Sequence, residues 1–387
     1  MTSRLAIAAI AAILLATLPL AAAEPRIETI ALGAAAPAFD LSATDGRNYT
    51  LESFKESKIV AVVFTANHCP EAVAAWPKVE ALFKDYKDKG VAVVAISGND
   101  DKALRADELG FSVWGDSFAE MKAFMEETKY SFPYLYDGET QKATTAYGAQ
   151  ATPHVFVLDA QRKVRYAGRI DDAKRSSENI GTPYVREAID ALLAGREVAE
   201  ASTRAFGCST KWSWKRDSVI KDNEEWAKRE VTLAELDAEL AKKLAANETG
   251  KVRLINFWST TCAPCLEEFP ELVETYRRFQ NRPLELITIT TDPANSRKRA
   301  EAFLKKSHAA LANNTRESLA KEGRATNNYI FTGANLDHLA EAIDPEWSGA
   351  QPHTVLIAPG GKILWRHTNS LDFIELRRQI VKALEGK

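Results

Sequence analysis

Four cysteines, Cys69, Cys208, Cys262 and Cys265, carry most of the chemical information in this chain of 387 residues. The last two form Cys262-Ala263-Pro264-Cys265, placed after the apolar run Val252 to Trp258 and before Glu267, Glu268 and Leu272. That order reads as strand, turn and helix, with Pro264 and Cys265 in the first helical turn. Unpaired amides and the helix dipole stabilise an anion at such a terminus, so a thiol at Cys262 falls from about 8.5 toward 7 or below. Cys262 is then the attacking sulfur, and the more buried Cys265 resolves the mixed disulfide. Zinc would want four ligands and no second cysteine pair exists, so neither a metal nor another cofactor is expected. Far downstream, Pro352 opens the apolar run Thr354-Val355-Leu356. A proline facing the centre there is expected in cis and presents the backbone of Gln351 to an extended chain that carries a cysteine.

These residues need a scaffold, and the scaffold occurs twice. An apolar strand, a cysteine, a helix and a distant Pro-His before another strand run from Val62 to Val157 and again from Ile255 to Leu356. Cys69 stands 84 residues before Pro153, and Cys262 stands 90 before Pro352. Within the first copy, strands over 58–65 and 91–97 alternate with helices over 71–87 and 119–127, which is the logic of a parallel sheet. A hairpin over 162–169 and a helix over 183–193 close it. The second copy repeats this with strands over 252–258 and 284–291, a hairpin at Pro359-Gly360-Gly361 and a helix over 371–384. The expectation is an α/β protein of two tandem α/β/α sandwiches, each with a mixed central sheet, over 27–200 and 231–387. Between them, 201–230 holds Trp212, Trp214 and Trp226, has no proline, and reads as a connector whose tryptophans pack on a domain face.

The bulk properties set the compartment. Arg4, an apolar run from Leu5 to Leu20 and Ala21-Ala22-Ala23 read as a signal peptide over 1–23 cleaved near Ala23, giving a periplasmic or secreted protein. No later segment is apolar and long enough to span a bilayer. With 50 Lys and Arg against 53 Asp and Glu, the net charge of −3 asks for no nucleic acid.

The stretch from Phe257 through Cys262 and Cys265 to Glu268, Phe269 and Pro270 resembles the thioredoxin superfamily, in particular its exported thiol-disulfide reductases of the TlpA and ResA kind. The resemblance covers about 231–387. It implies thioredoxin-like sandwiches, cysteine-containing client proteins, and a thiol-disulfide electron donor that can be membrane-bound. It also implies that Glu268 tunes proton exchange with Cys265, where a helix carboxylate would otherwise be an exposed one. Thr261 departs from the tryptophan common at that place.

The first copy is similar to the redoxin branch, related to peroxiredoxins of the AhpC/TSA type, through Ala36-Pro37-Ala38-Phe39, Phe132-Pro133-Tyr134 and Thr152-Pro153, with a tail Phe206-Gly207-Cys208. It covers about 27–200. Its active-site loop has one sulfur: a gapless register sets Cys69 on Cys262 and Ala72 on Cys265, whereas a second register sets Ala66 on the first cysteine and Cys69 on the second. Cys69 is therefore inert, a single-thiol centre, or a partner of Cys208, and a bridge closing 139 residues would stabilise by about 4 to 5 kcal/mol. Cys69, Cys208 and Pro153 are secondary redox candidates. His154 and His353 read as strand-edge residues rather than catalysts. The leading function is disulfide exchange in exported clients, with reduction favoured by the resemblance. The alternatives are a thiol peroxidase using Cys69, disfavoured because Ala66 and Val62 replace the supporting Thr and Pro, and a non-catalytic first domain that holds peptide beside Pro153.

Overall fold

The computed structural model describes residues 25–173 and 181–386, so the segment 1–23 read as a signal lies outside the described residues. The first half opens with the hairpin β1 (Asp40–Ser42) and β2 (Asn48–Thr50). It continues through β3 (Ile59–Thr65), α1 (Pro70–Tyr86), β4 (Val91–Ser97), α2 (Phe118–Thr128), β5 (Tyr134–Tyr136), α3 (Lys142–Tyr147), β6 (Ala151–Thr152), β7 (His154–Leu158), β8 (Val164–Gly168) and α4 (Tyr184–Leu193). Next come β9 (Cys208–Ser209) and α5 (Arg216–Ala227). The second half runs β10 (Ala234–Leu236), α6 (Ala238–Ala246), β11 (Val252–Trp258), α7 (Ala263–Arg278), β12 (Leu284–Thr290), α8 (Arg297–Lys306), α9 (Asn313–Lys321), β13 (Asn328–Phe331), α10 (Leu336–Ile343), β14 (His353–Ile357), β15 (Ile363–Thr368) and α11 (Phe373–Glu385).

Two mixed sheets result, ordered β5-β4-β3-β7-β8 and β10-β13-β12-β11-β14-β15. In each, a parallel set is joined to an antiparallel pair, with β3 between β4 and β7 and β11 between β12 and β14. The apolar run of β3 follows from its position. Ile59, Ala61 and Val63 enter one core layer and Val60, Val62 and Phe64 the other, because both faces of a central strand are covered. Strand β11 does the same with Leu254 and Trp258 against Ile255 and Phe257. It also carries a buried charge: Arg253 pairs with Glu285 and, at 2.8 Å, with Glu322.

Two expectations need correction. His154 and His353 open β7 and β14, but these strands lie inside their sheets, and both rings are buried instead of standing at an edge. The segment 201–230 is more than a connector with tryptophans on a face. Strand β9 pairs with β6, and the Lys211 amide donates to Asn99 Oδ1 at 2.8 Å, so this part completes the first half. Trp226 is buried on the second half, where its Nε1 donates to the His308 carbonyl at 3.0 Å. The halves also meet directly: Arg278 Nη2 donates to the Val113 carbonyl at 3.2 Å, and Arg378 pairs with Glu127 at 2.7 Å.

Candidate active site

In the second half, strand register brings the sequence motifs together. Phe257 pairs with His353, so the end of β11, which leads to Cys262, and Pro352, which precedes β14, lie at the same end of the sheet. The Gln351-Pro352 bond is cis, and Gln351 Nε2 donates to Thr291 Oγ1 in the segment after β12. Among the described residues no strand pairs with Gln351. The loop before the cysteine is pinned by Asp292, which accepts from the Thr260 amide at 2.8 Å and from Thr260 Oγ1 at 2.6 Å.

Cys262 caps α7, and Pro264 follows inside the first turn, where its missing N–H costs nothing. The Cys265 amide donates to Cys262 Sγ at 3.3 Å. The two sulfurs are bonded, with Cα atoms 5.3 Å apart. Cys262 is half-buried and Cys265 buried, so an incoming thiol meets Cys262 first. One helical turn on, Glu268 is 8 % exposed, not the outward carboxylate that a helix surface would supply. Its Oε2 accepts from the Leu371 amide at 2.9 Å, while Oε1 is buried without a partner. Burial pushes this carboxyl up to about 7, against the Leu371 hydrogen bond that favours its charge.

The first half repeats the geometry with different chemistry. Phe64 pairs with His154, and Cys69 occupies the N-cap position of α1 as Cys262 does that of α7, although the Cys69 side chain makes no capping hydrogen bond. This selects the gapless register and places Ala72 where the resolving cysteine would stand. The missing sulfur comes from elsewhere: β9 pairs with β6, setting Cys208 opposite Thr152, the residue before cis Pro153. Cys69 Sγ–H donates to the Thr152 carbonyl at 3.0 Å, and the Cys208 amide donates to Cys69 Sγ at 3.4 Å. The two are separate thiols in contact. A hydrogen bond from Cys208 pulls Cys69 down to about 6 despite burial, and its own thiol is correspondingly pushed far up.

Sequence reading missed two members of this cluster. Asp116 Oδ1 accepts from the amides of Asn67 and His68 at 2.7 and 3.0 Å, and its Oδ2 lies 2.7 Å from His68 Nδ1. Burial works against a charge on His68, but the Asp116 carboxylate outweighs it and holds the imidazole above its usual range. His68 Nε2 is buried without a partner. The only signal was the adjacency of His68 to Cys69, because Asp116 lies 48 residues away on a loop of no particular pattern. Asp116 pins the loop before Cys69 as Asp292 pins the loop before Cys262. No cluster of His, Cys, Asp and Glu able to hold a metal occurs among the described residues.

Two mixed sheets, each with a cysteine at a helix N-cap position opposite a cis proline, define a protein of the thioredoxin superfamily with two redoxin-like domains. The chain belongs to the AhpC/TSA family, whose model matches residues 32–167 and 229–366. A thiol-disulfide oxidoreductase ResA from Bacillus cereus is 30 % identical over 139 residues, 35 % of this chain and 69 % of that protein. A chloroplastic peroxiredoxin Q from Suaeda salsa is 25 % identical over 164 residues, covering 40 % and 68 %. Among solved structures, an uncharacterized conserved protein from Geobacillus kaustophilus is 37 % identical, covering 48 % of this chain and 95 % of its own, with a TM-score of 0.43.

Proposed function

We propose that this chain is an exported thiol-disulfide oxidoreductase that reduces disulfides in client proteins through Cys262 and Cys265. The observation that carries the reading is the pairing of a half-buried, helix-capping Cys262 with a buried Cys265, beside the unpaired backbone of Gln351. In the reduced state the Cys262 thiolate attacks a client disulfide, one client sulfur leaves as thiolate, and the client is held by a mixed disulfide. Cys265 then gives up its proton and attacks Cys262 Sγ. The second client thiolate leaves, and the Cys262–Cys265 disulfide remains for a thiol donor to reduce. Glu268, near half-ionised at neutral pH and one turn from Cys265, is suited to accept that proton. The open edge at Gln351 holds the client strand, Pro352 shapes it, and the signal segment 1–23 directs the chain to the periplasm or outside the cell.

Insulin reduction with a thiol donor tests this. Cys262→Ser should abolish turnover, and Cys265→Ser should trap a mixed disulfide with the client. Full activity in Cys262→Ser refutes the reading. Rapid peroxide consumption that depends on Cys69 would instead favour the peroxidase alternative.

A further inference from the structure

Outside the Cys262 centre, a second group of nucleophilic and titratable side chains meets in one place: Cys69, Cys208, His68 and Asp116. We propose that Cys69 and Cys208 form a second redox couple, in which the chain's own cysteine-bearing strand β9 occupies the client edge of the first domain and exchanges with external thiols through Cys208.

Placement is the first ground. The edge before Pro153 corresponds to the edge before Pro352, yet here Ala151 and Thr152 are paired antiparallel with Ser209 and Cys208. A client that added a strand at this edge would deliver its cysteine in the same way. The approach is close enough to require glycine at the preceding position. Gly207 has φ +145°, and a Cβ there would lie 2.0 Å from the Thr152 carbonyl oxygen.

The second ground is access. Cys69 is fully buried and Cys208 half-buried, so a thiol from outside reaches Cys208 first. The third is the asymmetry of the two sulfurs. The Cys208 amide donates to Cys69 Sγ and the His68 ring held by Asp116 stands beside it, and Cys69 is the stronger acid. The stronger acid is the better leaving group.

The chemistry follows. In the disulfide form a donor thiolate, from glutathione or a protein cysteine, attacks Cys208 Sγ. The Cys69–Cys208 bond breaks and its electron pair leaves on Cys69 as a thiolate beside His68. A second donor thiolate attacks the donor sulfur of the mixed disulfide and releases Cys208, which takes up a proton. Two electrons pass from the two donor thiols, which leave as one disulfide; of their two protons, one ends on Cys208 Sγ and the other in solvent, because Cys69 stays a thiolate. The reverse sequence oxidises the pair with an external disulfide. None of these residues belongs to the Cys262 centre. Helix α7 carries Cys262 at one end and Arg278, its contact with the first half, at the other, about 24 Å away along the axis.

The test uses the full chain equilibrated in graded mixtures of reduced and oxidised glutathione, acid-quenched, alkylated and mapped by mass spectrometry. A Cys262→Ser/Cys265→Ser double variant should show one two-electron transition that yields a peptide linking residues 69 and 208. Neither Cys69→Ser nor Cys208→Ser should yield it. Gly207→Ala should move the transition at least tenfold in the glutathione ratio, while the Cys262–Cys265 transition of the same molecules stays in place and reports that the chain is folded. Thiols that stay free across the whole series overturn the proposal. So does a link that reduced glutathione opens only in denaturant, or an unmoved transition in Gly207→Ala.

Discussion

Glu268→Gln separates the acid's electrostatic role from its shape. The amide keeps an oxygen for the Leu371 N–H, 2.9 Å from the present carboxylate, but it does not titrate. In the folded chain burial holds this carboxyl at about 7, against 4.5 for the ordinary group. Between those values the native state binds a proton that the unfolded chain has lost, so stability falls as pH rises from about 4.5 through 7 and is flat above. Raising the carboxyl from 4.5 to about 7 is worth about 3 kcal/mol at most, and relaxation and water penetration at a buried charge reduce this to about 1 to 2 kcal/mol. The glutamine chain should therefore gain about 1 to 2 kcal/mol over the native one between pH 5 and pH 8. Hydrogen exchange of the β11 amides, corrected for intrinsic rates, reports the opening of that sheet alone. In stopped-flow work on the reduced protein, release of client by Cys265 should lose an inflection near pH 7 in the same variant. A stability difference that does not change with pH would refute the buried-acid reasoning.

Three other perturbations address the framework. Arg253→Met leaves Glu285 with Arg324, at 3.2 Å, as its remaining cation, and should cost about 1.5 to 3 kcal/mol in urea unfolding of the second half, with part recovered on adding Glu285→Met. Trp226→Ala should cost about 3 to 5 kcal/mol and free α5 from the second half, since its ring is buried and lies under Arg229 and Arg277; limited proteolysis within 216–227 reads this directly. Burial holds His154 at about 4, below its ordinary 6.5, so the stability of its neutral form is present above pH 6.5 and lost as pH falls toward 4. His154→Phe should flatten thermal stability across that window, measured by circular dichroism.

Much of the fold was legible because periodic patterns report burial directly. The apolar run opening 91–97 and the run 252–258, interrupted by Arg253 and Asn256, became strands with those bounds, since a strand covered on both faces needs apolar side chains at most successive positions. The Cys262 centre was legible for the same reason: strand, cysteine and helix start are neighbours in sequence. Glu268 was visible as a residue of the motif, but its burial was not, because that comes from the Leu371 segment more than a hundred residues later.

Spacing alone shows two copies of one α/β unit, a complete Cys-x-x-Cys in one copy, and a single sulfur at that place in the other. These are local facts, written in spacing. It took the folded chain to show which register Cys69 occupies, that Cys208 returns to stand beside it, and that His68 and Asp116 meet behind it. Strand β9 is two residues long and leaves no periodic trace. Its position is set by antiparallel pairing with β6 and by the space that Gly207 leaves open, contacts that exist once chain segments more than fifty residues apart have been folded together.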